Sequence, residues 1–354
     1  MKIYDYSWLK NAMIPARIVS MTNVIYALRQ EEESKKPICP DIFTELQKIA
    51  IIQSVKASNA IEGIVTTDQR IKAIVSGATD PLNHSEMEIA GYKDALDIVH
   101  TRHDELSFNE ETVLNLHKIM LDKTDNVSKG TYKIEDNVIS EKYADGTTQI
   151  RYVPVKAIDT KNAINQMFLA YMKARDDSEI DNLFLIPCVI LDFLCIHPFQ
   201  DGNGRISRLL SLLLMYKFGF DVAKYISFEE QINADKGNYY DALKASSQGW
   251  HDNINDYMPF IENFLLNLYR CYKEMDKRFV TIRAGKVSKK QRIESILLSA
   301  FLPISKEEIK SVLPDVAITT IEKVLADLLK AGKIKKIGTT KNTKYMKNFQ
   351  SNQR

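Results

Sequence analysis

The sequence predicts a mainly α-helical protein: a helical bundle interrupted by one β-hairpin and followed by a small, separate C-terminal domain. Three observations carry this. Apolar residues recur at helical spacing through most of the 354 residues. The run Leu183 to Ile196 is apolar nearly all round, as the central helix of a bundle should be. From Lys129 to Pro154 the pattern changes to alternating β-formers around Asp145-Gly146, a hairpin signal.

The composition is that of a soluble globular chain, 45% hydrophobic and 27% charged, with a net charge of +2 that gives the whole molecule no bias toward nucleic acid or membrane. The length has room for about two domains. Cys39, Cys188, Cys195 and Cys271 are scattered, with no CxxC pair and no Cys/His spacing suited to zinc, which fits a reducing, cytoplasmic setting. The start, MKIYDYSWLK, lacks the apolar stretch of a signal peptide. Leu183 to Ile196 contains Pro187 and Asp192 and is too short to span a bilayer, so no membrane partner is expected.

Taken in order, residues 1 to about 40 form a leader that ends in the charged run Arg29 to Lys36, read as a solvated turn. Ile42, Leu46, Ile49, Ile52 and Val55 stripe one face of a helix from Asp41 to Glu62, closed by Gly63 as a C-cap. Ser58 and Glu62 share a face of it, although a Glu at a helix C-terminus opposes the helix dipole and by itself reads as a tolerated surface residue. Helices are expected at Thr66 to Ser76, His84 to Thr101, Asn109 to Leu121, Lys156 to Ala174, Asp181 to Ile196, Asn233 to Ser247 and Asp252 to Arg278. Of the adjacent Tyr239 and Tyr240, at most one is expected to face a site. Val280 to Val287 reads as a linker.

The chemistry concentrates in His197 to Arg208, HPFQDGNGRISR. Gly202-Asn203-Gly204 can turn its N–H groups inward as an anion nest, and a helix starting at or just after Gly204 adds its positive end. Arg205 and Arg208, three apart, are expected to lean toward the same anion. Asp201 is a hard oxygen ligand suited to a Mg²⁺ that bridges phosphates. His197 is the one group that accepts a proton near neutral pH.

This segment resembles the signature of the Fic (filamentation induced by cAMP) family, HxFx(D/E)GNGRxxR, at every specified position. SNAIEG, residues 58–63, is similar to that family's inhibitory motif (S/T)xxxE(G/N), and its place before the signature is that of the class with an N-terminal inhibitory helix. The resemblance implies a Fic-type helical bundle with a β-hairpin flap, and a protein adenylyltransferase that moves AMP from Mg-ATP to a hydroxyl of a target protein. It implies His197 as base, Asp201 on the metal, and Gly202, Asn203, Gly204, Arg205 and Arg208 on the phosphates. It further implies an aromatic on the adenine, assigned to Tyr240, and an autoinhibitory contact from Glu62 to Arg208 with Ser58 tying the helix down. Removal of AMP by the same site is a further implied activity. The flap, 130–154, whose GTYK entry is similar to the family's, would dock the protein substrate by strand addition; a purely structural ribbon is the alternative.

The expected domains are an N-terminal helical region at 1–83, a catalytic core at 84–279 and a C-terminal domain at 288–354. The last carries 14 Lys and Arg against 6 Asp and Glu. Helical patterns at 289–301, 305–313 and 319–331, then β-like runs at 333–338 and 344–347, resemble a winged helix. Its basic wing (Lys333, Lys335, Lys336, Lys341, Lys344) leaves two readings open: DNA contact through phosphates, or a protein-interaction module of the same shape that forms a homodimer. The first gives the alternative function, a nucleotide-sensing DNA-binding transcriptional regulator.

Overall fold

The structure, a computed structural model, describes residues 2–37, 39–142, 146–283, 289–299, 303–338 and 343–348. By internal contacts the chain divides into two units, one of residues 1–38 with 50–272, the other of residues 39–49 with 273–354. Among the described residues no helix is long and apolar enough to cross a membrane.

In the first unit, a 3-10 turn at Ser7–Asn11 precedes α1 (Ala16–Lys35). The charged run from Arg29, expected as a turn, is therefore helical through Lys35. Arg29–Glu33 and Glu31–Lys35 pair one turn apart on the solvent side, while Glu32 turns inward and meets Lys36. α2 (Pro40–Ile61) ends one residue before Glu62, with Gly63 at φ +80°. α3 (Asp68–Val75), α4 (His84–Arg102) and α5 (Glu110–Leu121) each start on a side-chain cap. Thr67, Asn83 and Asn109 accept the N–H three residues on.

The hairpin is shorter than the alternating pattern implied. β1 (Ile139–Lys142) pairs antiparallel with β2 (Thr148–Tyr152), and the preceding stretch is loop. Asp145 lies outside the described residues; Gly146 adopts φ +86°, as the turn requires. α6 (Ala157–Arg175) leads to the central pair, α7 (Asn182–Ile196) and α8 (Asn203–Lys217). α7 buries every residue from Leu185 to Ile196. One of them is charged: Asp192 accepts hydrogen bonds from Tyr6 Oη (2.8 Å), Trp250 Nε1 (2.7 Å) and Tyr257 Oη (2.7 Å). Three donors compensate a carboxylate that would otherwise be costly to bury. They also tie residues at both ends of this unit to the helix that leads into His197.

The helix expected at 233–247 is two, α9 (Phe228–Ala234) and α10 (Lys236–Ser247), broken at Asp235. α11 (Met258–Arg283) runs through residues 280–283, which the sequence assigns to a linker; residues 284–288 lie outside those described.

The second unit continues with α12 (Lys289–Ser299), β3 (Ile304–Ser305), α13 (Lys306–Val312), α14 (Ile318–Lys330), β4 (Ile334–Ile337) and β5 (Lys344–Lys347). Its sheet is antiparallel in the order β3-β5-β4, one strand more than the expected pair. β3 is two residues long and runs straight into α13 through a capping box of Ser305 and Glu308, so no strand period marks it. The core is an apolar cluster that includes Ile293, Leu297, Ile309, Ile321, Leu325 and Ile334.

Candidate active site

The loop between α7 and α8 carries the motif, and its shape is set by residues whose side chains face inward. His197 is the C-cap of α7 at φ +52°, ψ +62°, a left-handed conformation costly for a residue with a Cβ. Asn203 closes the loop on itself: its Oδ1 accepts from Phe199 N (2.9 Å) and its Nδ2 donates to Phe199 O (2.7 Å). Expected on the phosphates, this buried amide is instead a staple. Phe199 stacks on His117 at 3.7 Å. His117 Nδ1 accepts from Gly130 N (2.9 Å), so Nε2 carries the proton and donates to Asp201 O (3.1 Å). Burial holds its pKa down to about 4, consistent with a neutral strut between the motif loop and the loop before β1.

α8 starts at Asn203, one residue earlier than expected, with Gly202 as N-cap at φ +81°. The Gly202 N–H is not free to line a nest, because it donates to Asp201 Oδ1 (2.6 Å). The first-turn N–H groups of Asn203, Gly204 and Arg205 have no carbonyl of their own helix to bond. They form the anion-attracting end of α8.

The two arginines part company. Arg205 is 1% exposed; it forms an ion pair with Glu88 Oε2 (2.6 Å) from α4, and its Nη2 donates to Asp201 Oδ2 (3.2 Å). It holds the loop and does not line the cavity, contrary to the expectation that both arginines lean toward one anion. Arg208 does line it. Its Nε donates to Ser58 Oγ (2.8 Å), and its Nη2 donates to Ser58 O (2.9 Å) and Glu62 Oε1 (2.9 Å). Burial opposes the Arg208 charge, and Glu62, Tyr239 and Tyr92 outweigh it, leaving its pKa raised. Gly204 makes room for this contact: a Cβ there would fall 2.3 Å from Glu62 Oε1.

The cavity itself measures about 540 Å³. Its walls include His197, Gly204 and Arg208 from the motif, Glu62 past the end of α2, Arg151 and Tyr152 from β2, and Lys236, Tyr239 and Tyr240 from α10. Both tyrosines reach it, where at most one was expected. Ring centroids 5.4 Å apart at 70° let two adjacent helical side chains share one wall. Lys236 donates to Ile61 O (2.5 Å), satisfying a carbonyl at the end of α2, and its ammonium lies 5.7 Å from the Tyr240 ring.

His197 Nδ1 donates to Leu194 O (3.3 Å), which leaves Nε2 as the lone-pair nitrogen. Burial holds its pKa down to about 4; the Leu194 and Glu62 contributions raise it, and Lys133 and Arg151 lower it. The imidazole is therefore unprotonated at neutral pH. Lys133, in the loop before β1, donates to Asn137 Oδ1 (2.8 Å) and Ile196 O (3.3 Å), next to His197. Its own pKa falls to about 8 through burial.

Sequence reasoning missed Glu88, His117, Lys133, Arg151 and Lys236, and chose Tyr240 over Tyr239 where both line the cavity. Only Lys133 lay in a quoted motif, GTYK. Among the described residues no cluster of three His, Cys, Asp or Glu forms a metal cage. Asp201 is a single carboxylate, 60% exposed, whose two oxygens each have one partner. That donor set fits Mg²⁺ taken up with a phosphate ligand, where one carboxylate plus phosphate and water complete the shell.

Some basic residues of the second unit are engaged by carboxylates. Lys306 pairs with Glu322, Lys333 with Glu294 and Lys344 with Glu308. Lys341 of the expected wing lies outside the described residues.

The sequence model of the Fic/DOC family matches residues 107–215, so the chain carries a Fic/DOC family domain there. The chain is similar to the protein adenylyltransferase Fic of Nematostella vectensis, 26% identical over 221 residues, which are 60% of this chain and 46% of that protein. It is also similar to protein adenylyltransferase fic-1 of Caenorhabditis elegans, 25% identical over 213 residues, 57% of this chain and 36% of that protein. The chain thus spans less than half the length of these two relatives. A Fic family protein of Desulfovibrio desulfuricans shares the fold, with a TM-score of 0.61 over 97% of this chain and 99% of that one at 18% identity.

Proposed function

We propose that the chain is a protein adenylyltransferase that moves AMP from ATP to a hydroxyl side chain of a protein, and that Glu62 holds it inactive. The observation that carries this is one cavity walled by a neutral histidine with a free Nε2, a buried arginine, and a carboxylate on that arginine.

Each residue then has a task. The N-terminus of α8 and Arg208 take phosphate oxygens. Tyr240 lies against the adenine. His197 Nε2 removes the proton from the acceptor hydroxyl as its oxygen attacks the α-phosphorus and pyrophosphate leaves, so catalysis is positioning plus charge stabilisation with one base. Asp201 would hold Mg²⁺, which when bound neutralises phosphate charge. Arg205, Asn203 and His117 keep the loop in shape. The hairpin offers an open strand edge to an extended segment of the target.

Glu62 competes for Arg208. While the pair is closed, a phosphate cannot use that guanidinium, and the carboxylate repels it. Ser58, on both Nε and Nη2 of Arg208, anchors the end of α2 to α8. Hydrolytic removal of AMP by the same site is compatible with this arrangement, with Glu62 orienting water. The DNA-binding regulator finds less support, because a binding-only site needs no base and three of the basic residues of the second unit are occupied by carboxylates.

The test is intact-mass analysis of wild type, Glu62→Ala and His197→Ala after incubation with Mg-ATP. Glu62→Ala should gain AMP well above wild type, and Glu62→Ala combined with His197→Ala should gain none. A Glu62→Ala variant no more labelled than wild type removes the autoinhibition.

A further inference from the structure

The cavity is walled by three cations, and they differ in what they already hold. Arg208 has a carboxylate, and Lys236 has the Ile61 carbonyl. Arg151 has no ion pair among the described residues, and its Nε is buried without a hydrogen-bond acceptor.

How Arg151 gets there is local. In a regular strand successive side chains point to opposite faces, so Arg151 and Tyr152 should not share a wall. They do. The pairing explains it: Ile139 faces Tyr152 and Ser140 faces Ile150, so two steps of β2 oppose one step of β1 and Arg151 is the extra residue. Such a bulge redirects a side chain that alternation would send elsewhere. The guanidinium then rests 5.4 Å from the Tyr240 ring centroid, which fixes its position.

We propose that Arg151, turned into the cavity by this bulge, grips the phosphate chain of the bound nucleotide from the hairpin. The proposal rests on the nucleotide reading of the cavity and deepens it. A planar cation with an unused buried donor is best satisfied by an oxyanion, with which it forms short, charge-assisted hydrogen bonds. Arg151 also acts on His197, whose imidazole its charge helps to keep neutral, so the anion it binds lies close to the base. Because Arg151 belongs to the same hairpin that would receive the target segment, nucleotide binding and the hairpin's position become coupled.

The test is calorimetric titration of the full chain, as wild type, Arg151→Gln and Arg151→Lys, with Mg-ATP and separately with adenosine. Arg151→Gln should weaken Mg-ATP about ten-fold and leave adenosine within about two-fold of wild type. Arg151→Lys, which keeps the charge but not the fork, should fall between. Unchanged Mg-ATP affinity in Arg151→Gln overturns the proposal. Equal loss of Mg-ATP and adenosine also overturns it, because the contact is then to the nucleoside. If Arg151→Gln does not fold, the ratio of the two affinities in Arg151→Lys decides in the same way. A wild-type chain that binds neither ligand overturns the nucleotide reading and this proposal with it, an outcome distinct from a wild type that binds while Arg151→Gln binds equally well.

Discussion

The two units put their charges in different places. In the unit of residues 1–38 and 50–272, acidic and basic side chains lie inside. Asp192 takes three donors, Glu229 takes Ser54 (2.8 Å) and Tyr92 (3.0 Å), Arg205 takes Glu88 and Asp201, and Arg208 takes Ser58 and Glu62. In the other unit the core cluster is apolar, the pairs Lys306–Glu322, Lys333–Glu294 and Lys344–Glu308 sit at the surface, and among the described residues Arg278, paired with Glu274, is the one buried charged side chain. An apolar core is the cheaper way to stabilise a fold, since a buried ion must recover its desolvation from nearby partners. A unit that buries many charges is holding groups for use. Arg205 keeps a loop shaped, and Arg208 ties the end of α2 to α8 through Ser58 and Glu62.

The comparison breaks if these buried groups can be removed without effect. The largest effect expected is on chemistry. His197→Ala in the Glu62→Ala background should lose about 10² to 10⁴ of the AMP-transfer rate while keeping Mg-ATP affinity, because in the proposed mechanism His197 acts on the acceptor. Equal loss of affinity would reassign His197 to nucleotide binding. Next comes Arg205→Met, which leaves the buried Glu88 only the exposed His84 and should cost roughly 3–5 kcal/mol, read as thermal unfolding. Adding Glu88→Leu should recover a large part of that loss. No recovery would mean that the two side chains are not a coupled pair.

The pH dependence follows from the same buried groups. Burial holds the pKa of His100 to about 3 and of His117 to about 4, against 6.5 for a free imidazole. The unfolded chain takes up these protons near pH 6.5 and the folded chain does so only below about 4. Stability is therefore complete above pH 6.5 and falls as the pH drops through that window, by roughly 1–2 kcal/mol per buried imidazole at pH 5. Glu32 works the other way. Burial raises it to about 7, partly offset by Lys36, so its protonation in the folded state stabilises below pH 7. His197, held to about 4, is a third such imidazole, and Asp192, raised by burial, joins Glu32; the three imidazoles set the direction, and the urea midpoint should be lower at pH 5 than at pH 7. A higher midpoint at pH 5 would contradict the buried, neutral state of these histidines. The smallest effect sharpens the contrast. Lys344→Ala, removing an exposed pair at 3.5 Å, should leave the thermal midpoint unchanged within measurement.

Much of this was legible in the sequence because it depends on neighbours along the chain. Helical spacing marked α2, α4 to α8 and α14 to within a few residues. The string HPFQDGNGRISR placed a base, a carboxylate, a tight turn and a helix N-terminus in one segment, and it marked the family before any geometry was known. Even the pairing of Glu62 with Arg208 was expected, though by resemblance, since nothing in either segment points across the 146 positions that separate them.

What tertiary structure decided is which partner each side chain meets. Arg205 and Arg208 lie one turn apart on the same helix, and spacing gives them the same prospects. Glu88 on α4 takes one and Glu62 after α2 takes the other, so one became scaffold and the other cavity wall. Asn203 could have faced a ligand, but the carbonyl and N–H of Phe199 were closer. The run from Arg29 was solvated by composition, yet Lys36 and the inward side of α1 gave Glu32 a buried place. Arg151 would be an ordinary strand residue by alternation, and one mismatch in pairing with β1 turned it inward. In each case periodicity along the chain sets direction, while burial and charge pairing act between elements distant in sequence, and those distances exist only once the chain has folded.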